Sequence, residues 1–175
     1  AVAQGAEVVI CTGDRDAFQL VSDKVSLIYP VRGVSEVWRM DPAAVEEKYL
    51  VPPNRYSDLA ALVGESSDNL PGVPGVGPKT AAKWLGQYGD LAGVVAHVDE
   101  IKGKVGDSLR ANLASVQTNR HLTQLVRDMQ LPAGPDELAL VGWDRERIHA
   151  LFDDLEFRVL RDRLFSTLSS VEPEA

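Results

Sequence analysis

One stretch in the middle of the chain decides its fold: residues 70–81 read LPGVPGVGPKTA. The glycines at 72, 75 and 77 permit tight turns and backbone conformations that other residues avoid. Pro78 suits the first turn of a helix, where its missing N–H group needs no partner. The pattern therefore predicts a helix–hairpin–helix over about residues 56–88.

The same glycines resemble two nucleotide-binding loops, and both are excluded. A P-loop requires Gly-x-x-x-x-Gly-Lys followed by Ser or Thr, but Pro78, which offers no N–H group to a phosphate, separates Gly77 from Lys79. A dinucleotide-binding loop requires a third glycine where this chain has Thr80. A nucleotide-dependent switch or ATPase is therefore disfavoured.

The predicted hairpin suits an anion instead. Glycines let backbone N–H groups approach a phosphate closely, and the next helix points its positive end at the same place. Backbone contacts of this kind hold the sugar–phosphate chain of DNA without reading bases. The residues that we expect to contact DNA are Gly72, Val73, Gly75, Val76, Gly77, Lys79, Thr80 and Lys83.

Charge supports a nucleic-acid contact in one part of the chain only. The formal net charge is −8, whereas nucleic-acid-binding proteins are usually basic. Residues 79–127 carry seven Lys and Arg against four Asp and Glu, and the segments on both sides are acidic. The basic part thus begins at the helix after the hairpin.

The flanking sequence predicts a sheet before the hairpin and helices around it. Short apolar runs typical of strands, with a short helix after the first, indicate an α/β sheet with parallel members. Asp41 followed by Pro42 is an N-cap signal, and helical patterns continue from there. The strands are expected at residues 7–12, 25–29 and 34–39, the short helix at 16–20, and later helices include 106–116 and 120–126.

The expected fold class is α/β: a sheet with parallel members, followed by a helical region with the helix–hairpin–helix. We assign residues 1–40 to an α/β core, 41–165 to the helical region and 166–175 to the start of a linker. No apolar run approaches the roughly 18 residues that cross a bilayer, so no membrane partner is expected. A single cysteine, Cys11, fits a reducing cytoplasm.

Two pairs of carboxylates precede the hairpin. Asp14 and Asp16 follow the first predicted strand, where sites cluster in open α/β sheets. Glu65 and Asp68 share one face if helical geometry persists there. A turn or a helix cap explains either pair alone. Next to a phosphate clamp, however, hard oxygen ligands favour Mg²⁺ or Mn²⁺ and two-metal hydrolysis of phosphodiesters.

Two segments together resemble the 5′ nuclease domain of bacterial DNA polymerases I, in its C-terminal portion: residues 12–20, TGDRDAFQL, and residues 64–77, GESSDNLPGVPGVG. The resemblance implies a 5′-3′ exonuclease and structure-specific flap endonuclease of DNA replication and repair. It places Asp14, Asp16, Glu65 and Asp68 at the positions that bind two divalent ions. It also implies that the hairpin binds DNA and can hold K⁺ through backbone carbonyls.

The chain departs from that family in two ways. Position 65, often Asp in the family, is Glu here. The family's N-terminal carboxylates and the helical arch that threads the 5′ end are not found in this sequence. The resemblance therefore implies a partial parallel sheet without its N-terminal part, with residues 1–40 as the remainder of the α/β nuclease core. We therefore expect a part of the domain that binds DNA but is catalytically impaired.

The resemblance also implies partners and a location. The expected partners are DNA with a 5′ flap, a nick or a primer, and the polymerase domains of the same parent chain. The expected location is cytoplasmic and nucleoid-associated. The alternative is a non-catalytic helix–hairpin–helix module that only binds DNA.

Overall fold

The computed structural model describes residues 1–33, 35–139 and 144–168. The chain divides into two compact units, residues 1–130 and 131–175. The helical region predicted for 41–165 thus extends over parts of both units. Of the predicted linker, residues 166–168 are helical and residues 169–175 lie outside the described part.

A three-stranded sheet opens the first unit, in the order β1-β2-β3. Strand β1 pairs with β2 in parallel, from Val8 opposite Val25 to Cys11 opposite Ile28, which confirms the predicted parallel members. Strand β3 pairs with β2 antiparallel. The strands are β1 (Val8–Cys11), β2 (Val25–Arg32) and β3 (Glu36–Met40). The predicted third strand began at Val34, which lies outside the described residues.

The chain turns back from β1 to β2 through a single 3-10 helix, Arg15–Leu20, where the sequence predicted a short helix. Parallel strands need a connection of about a dozen residues or more, because the chain must run from the end of the first strand back to the level of its start before the second strand begins. This connection carries Asp14 and Asp16, so the crossover places both carboxylates beyond the end of β1.

Helices dominate the remainder. None of the described helices is long and apolar enough to cross a membrane. Their bounds are α1 (Pro42–Tyr49), α2 (Tyr56–Val63), α3 (Pro78–Tyr88), α4 (Leu91–Ala96), α5 (Lys104–Ala111), α6 (Leu113–Thr123), α7 (Arg145–Asp154) and α8 (Arg158–Leu168). A two-stranded ladder of β4 (Gly64–Glu65) and β5 (Leu70–Pro71) lies between α2 and α3.

Two predicted helices have different bounds in the structure. The helix expected at 106–116 is α5, which ends at Ala111, and α6 begins two residues later at Leu113. Asn112 makes the break because its side-chain amide donates to the carbonyl of Ser108 at 2.8 Å. The helix expected at 120–126 is the last turn of α6, which ends at Thr123, so that prediction divided one helix and placed its end three residues too late.

Helix α2 is the centre of the first unit, since every side chain from residue 56 to residue 62 is buried. One face packs against Phe18 of the 3-10 helix and Leu27 of β2. Its other side joins a cluster with Trp84 and Leu85 of α3. The sheet and the helical region thus share one helix, and burial of this apolar surface holds them together.

Buried amides fix α6 against both carboxylate-bearing segments. Gln19 donates through Nε2 to the carbonyl of Thr123 at 2.8 Å, and its Oε1 accepts from the Leu125 amide. Asn119 donates to the carbonyl of Pro71 at 2.8 Å. A buried amide that loses its partners costs free energy, so these bonds specify the arrangement.

Candidate metal centre and nucleic-acid interface

The first carboxylate pair is held by a tight turn at the end of β1. The backbone amide of Asp14 donates to Thr12 Oγ1 at 3.1 Å. Asp14 is the N-cap of the 3-10 helix, because its Oδ1 accepts from the Asp16 amide at 2.9 Å. Aspartate commonly caps a helix N-terminus in this way. The turn therefore fixes the backbone positions of Asp14 and Asp16.

The second pair follows the end of α2. Gly64 ends the helix with a φ of 83°, a conformation that favours glycine. Glu65 lies in β4 and is buried, at 8% exposure, while Asp68 closes a 3-10 turn, Ser66–Asp68. The two do not lie on one continuous helix, as their spacing had suggested, but the turn brings both to the same place.

Three of the four carboxylates line one cleft of about 350 Å³: Asp14, Glu65 and Asp68, together with Arg15 and Tyr29. Asp16 lies beside the cleft. Burial raises the pKa of the Asp16 carboxyl, and the negative charges of Asp14, Asp68 and Glu65 add to this effect, so that together they bring it to about 6. The fold therefore brings carboxylates from both segments close together.

The donor chemistry of this cleft fits a hard divalent cation, because crowded carboxylates repel one another unless a cation offsets their charge. The side chains are not arranged as a finished cage, however. Over the described ranges, no three or more Asp, Glu, His or Cys side chains are placed to hold a metal ion. Glu65 instead accepts from Ser67 Oγ at 2.8 Å and from Arg15 Nη1 at 3.2 Å, both at Oε1.

The hairpin joins this cleft directly. A Cβ atom at Gly72 would stand 1.9 Å from the Val63 carbonyl oxygen, and one at Gly64 would stand 2.3 Å from the Gly72 amide nitrogen. The two backbones therefore cross at van der Waals distance, and only glycine fits at the crossing. The predicted DNA contact Gly72 has this packing role in the structure.

The remaining predicted DNA contacts divide into buried and open groups. The side chains of Val73 and Val76 are buried, and their amides donate to Leu62 and Val73 carbonyls at 2.9 and 3.0 Å. Among the described residues, the amides of Gly75, Gly77 and Lys79 have no such acceptor. These three therefore remain as candidate phosphate donors.

The side chains around those amides are accessible. Lys79 and Lys83 are exposed on α3, and Thr80 is half-buried between them. The N-cap of α3 is Gly77, which contributes no side-chain cap. The positive end of the helix is thus open to an anion.

Comparison with known proteins decides the family. The model of the family described as 5′-3′ exonuclease, C-terminal SAM fold, matches residues 51–146, more than half of the chain. The chain belongs to the 5′-3′ exonuclease family. This confirms the resemblance inferred from residues 12–20 and 64–77, and with it the assignment to a family of nucleases.

Relatives of this exonuclease-family chain are longer. DNA polymerase I of Mycobacterium tuberculosis is 62% identical over 167 residues, which are 95% of this chain and 18% of that protein. A 5′-3′ exonuclease of Streptomyces coelicolor is 52% identical over 108 residues, 61% of this chain and 36% of the relative. The chain thus spans less than a fifth of the DNA polymerase I relative.

A solved structure supports the fold. The flap endonuclease of bacteriophage T5, in a pseudo-enzyme-product complex with DNA and metal ions, has a TM-score of 0.58 and 22% identity. The match covers 67% of this chain and 42% of that one. It confirms the expected combination of an α/β part with a helical region.

Sequence reasoning missed the residues that connect the two halves of the candidate site. Arg15 reaches across to Glu65, and its Nε lies 3.5 Å from the Tyr29 hydroxyl. Gln19 ties the crossover to α6. The sequence did contain a signal for Arg15, because a cation between two candidate metal-binding carboxylates is unusual. The only signal for Gln19 was its polar side chain within an apolar run.

Proposed function

We propose that this chain is the part of a DNA polymerase I-type 5′ nuclease that grips the DNA backbone and supplies the Asp14, Asp16, Glu65 and Asp68 carboxylates to a two-metal phosphodiester hydrolase. The intact nuclease acts as a 5′-3′ exonuclease and flap endonuclease in replication and repair. Its substrates are 5′ flaps, nicks and primer-containing duplexes, and its partners are the polymerase domains of the same parent chain.

One observation carries the proposal: the carboxylate cleft and the phosphate-binding hairpin are joined by the backbone crossing at Gly64 and Gly72. Glu65 follows the first of these glycines directly, and the open amides of Gly75 and Gly77 follow the second. A phosphate held at the hairpin is thus presented on the same rigid segment as half of the carboxylates. Catalysis by positioning needs this kind of rigidity.

Four carboxylates from two segments would hold the divalent ions, Mg²⁺ or Mn²⁺. Bound there, two such ions supply a hydroxide nucleophile and stabilise charge on the phosphorus. This chain orients the carboxylate ligands: the Asp16 amide holds the Asp14 side chain, and Ser67 Oγ holds that of Glu65. A bound divalent ion also agrees with the metal ions in the T5 flap endonuclease structure.

Arg15 keeps this chain from being a ready nuclease on its own. Its guanidinium occupies one oxygen of Glu65, and a ligand oxygen bonded to a cation is a weaker ligand for a metal ion. The proposed state of the 175-residue chain is therefore one that binds DNA and cleaves it poorly. A K⁺ ion at the hairpin carbonyls and a nucleoid-associated location belong to the same proposal.

The test titrates the purified chain with Mn²⁺, followed by electron paramagnetic resonance, and in parallel measures anisotropy of a labelled 5′-flap duplex. The expected result is stoichiometric Mn²⁺ binding that is lost in the Glu65→Gln/Asp68→Asn variant, together with salt-dependent DNA binding in both proteins. Glu46→Gln/Glu47→Gln on α1 is the matched control, since it removes two carboxylates outside the cleft.

Each outcome discriminates. DNA binding without any Mn²⁺ binding would favour the non-catalytic module over the nuclease. Robust Mg²⁺-dependent cleavage of the flap by this chain would overturn the proposed impairment while supporting the nuclease. Absence of salt-dependent DNA binding would overturn the hairpin's role.

A further inference from the structure

A second glycine-containing turn, here called the second hairpin, lies beside the first and shares several of its features. It comprises residues 101–105, IKGKV, and leads from the turn after α4 into the first two residues of α5. Gly103 has a φ of 80°, as Gly75 has 81° in the first hairpin. Ile101 is buried beneath the second hairpin as Val73 is beneath the first.

Both hairpins lead into a helix whose N-terminus has no side-chain cap. The N-cap is Gly77 for α3 and Gly103 for α5. Each hairpin also depends on a glycine that lies against a backbone carbonyl. At Gly106 a Cβ atom would stand 1.8 Å from the Ile101 carbonyl oxygen, close to the 1.9 Å between Gly72 and the Val63 carbonyl oxygen.

The two hairpins are in direct contact and rigidly held. Ser108 donates through Oγ to the carbonyl of Pro74 at 2.8 Å. Val105 packs on the first hairpin, its Cγ1 lying 3.7 Å from the position of a Cβ at Gly75. Arg110 donates through Nη1 to the carbonyls of Val98 at 2.8 Å and Ile101 at 3.1 Å, which fixes the start of the second hairpin.

A groove of about 520 Å³ separates the second hairpin from α3. Lys79 and Lys83 line one wall and Lys102 lines the other, with Glu100 as the only acidic side chain among the lining residues. None of these lysines, nor Lys104 at the first position of α5, forms an ion pair within the described ranges. Lysines on both walls of one groove, without carboxylate partners, suit a polyanion.

We propose that the second hairpin is a further phosphate contact, so that the groove between α3 and residues 101–105 holds the backbone of the same DNA that the first hairpin grips. The inference rests on the proposed function, since it takes the ligand to be DNA. It adds Lys102 and Lys104 to the interface, 23 or more residues beyond Lys79 in the chain. Phosphate contacts of this kind position DNA without sequence preference.

The test measures the salt dependence of DNA binding by the 175-residue chain, using anisotropy of a labelled duplex over a series of KCl concentrations. Two double variants, Lys102→Ala/Lys104→Ala and Lys79→Ala/Lys83→Ala, are compared with the single control variant Lys24→Ala. Lys24 is an exposed lysine in the turn before β2, and its ammonium group lies 3.8 Å from the Glu7 carboxylate. All five lysines are exposed, and circular dichroism checks that each variant is folded.

Each lost phosphate contact lowers the slope of log K against log salt by about 0.9, and weakens binding about five- to tenfold at 0.1 M salt. We expect both double variants to lower the slope by one to two such steps, and Lys24→Ala to leave it unchanged. The Lys102→Arg/Lys104→Arg variant restores binding, because the charge returns.

The outcomes separate this inference from the proposed function. If Lys79→Ala/Lys83→Ala lowers the slope while Lys102→Ala/Lys104→Ala behaves like Lys24→Ala, the second hairpin makes no contact and only this inference fails. If neither double variant changes the slope, both the inference and the grip of the first hairpin are refuted. A drop of the same size in Lys24→Ala would show a general charge effect and would also refute it.

Discussion

The crossing of Gly72 with the end of α2 makes a sharp prediction about stability. A methyl group at position 72 would stand 1.9 Å from the Val63 carbonyl oxygen and 2.7 Å from the Gly64 amide nitrogen. Both obstacles are backbone atoms, so no side-chain rotation relieves the overlap. We expect Gly72→Ala to force α2 and β5 apart.

The magnitude follows from the overlap. Overpacking a core costs typically 1–3 kcal/mol and more when the backbone has to move, so Gly72→Ala is placed at about 3–4 kcal/mol. That is a large part of the 5–15 kcal/mol by which native domains are stable. Gly77→Ala is the matched control, since a Cβ there meets nothing within 4 Å, and it should cost less than about 1 kcal/mol.

Urea unfolding followed by tryptophan fluorescence measures the difference. Trp84 is 6% exposed and packs in the cluster that the crossing supports, so it reports on this region. Unfolding midpoints for Gly72→Ala and Gly77→Ala that differ by no more than the error would refute the packing argument. The control has a second use: Gly77→Ala places a methyl group at an open amide and is expected to weaken DNA binding in a folded protein.

Three further predictions concern charged groups. Burial and neighbouring carboxylates raise the Asp16 pKa from 3.8 to about 6, so this group favours folding below pH 4 and loses that contribution as pH rises through 6. Asp16→Asn should therefore raise the free energy of unfolding by about 1 kcal/mol at pH 7.5, after solvent screening, and leave it unchanged at pH 4. Urea unfolding at both pH values measures the difference. Arg15→Gln removes a cation 3.2 Å from Glu65 and should tighten Mn²⁺ binding about fivefold in calorimetry; weaker binding would contradict the competition. Arg120→Ala leaves Asp58, 3% exposed, without its Nε donor and should cost about 3 kcal/mol in thermal unfolding; a loss no larger than that of an exposed ion pair would show that Asp58 is satisfied without it.

Local sequence patterns were enough to predict much of the fold. The β-branched run of β1, the Asp41-Pro42 start of α1 and the glycine-rich stretch before α3 each determine their own conformation, and all appear as expected. The boundary between α5 and α6 was not predictable in this way. Asn112 ends α5 through a side-chain bond to Ser108, and no glycine or proline marks the place.

The residue types of the candidate site could also be predicted, but their interactions could not. Arg15 and Glu65 are 50 residues apart, and only the tertiary fold shows that they are paired. Gly72 was expected to make room for a phosphate, whereas the structure shows that it makes room for the backbone at Val63. A glycine in the sequence indicates that a side chain would not fit at that position, but it does not indicate which neighbouring group occupies the space.

The crossing of Gly64 and Gly72 also bears on where a strand is cut. Two backbones in direct contact, with no side chain between them, have little room to slide, so the crossing limits changes in the distance from the carboxylate cleft to the hairpin. In the proposed nuclease this span acts as a molecular ruler: the hairpin binds the duplex, and the distance from the hairpin to the carboxylates sets how many nucleotides separate the bound duplex from the scissile bond. The position of the cut would then follow the junction in the DNA, whatever bases lie there.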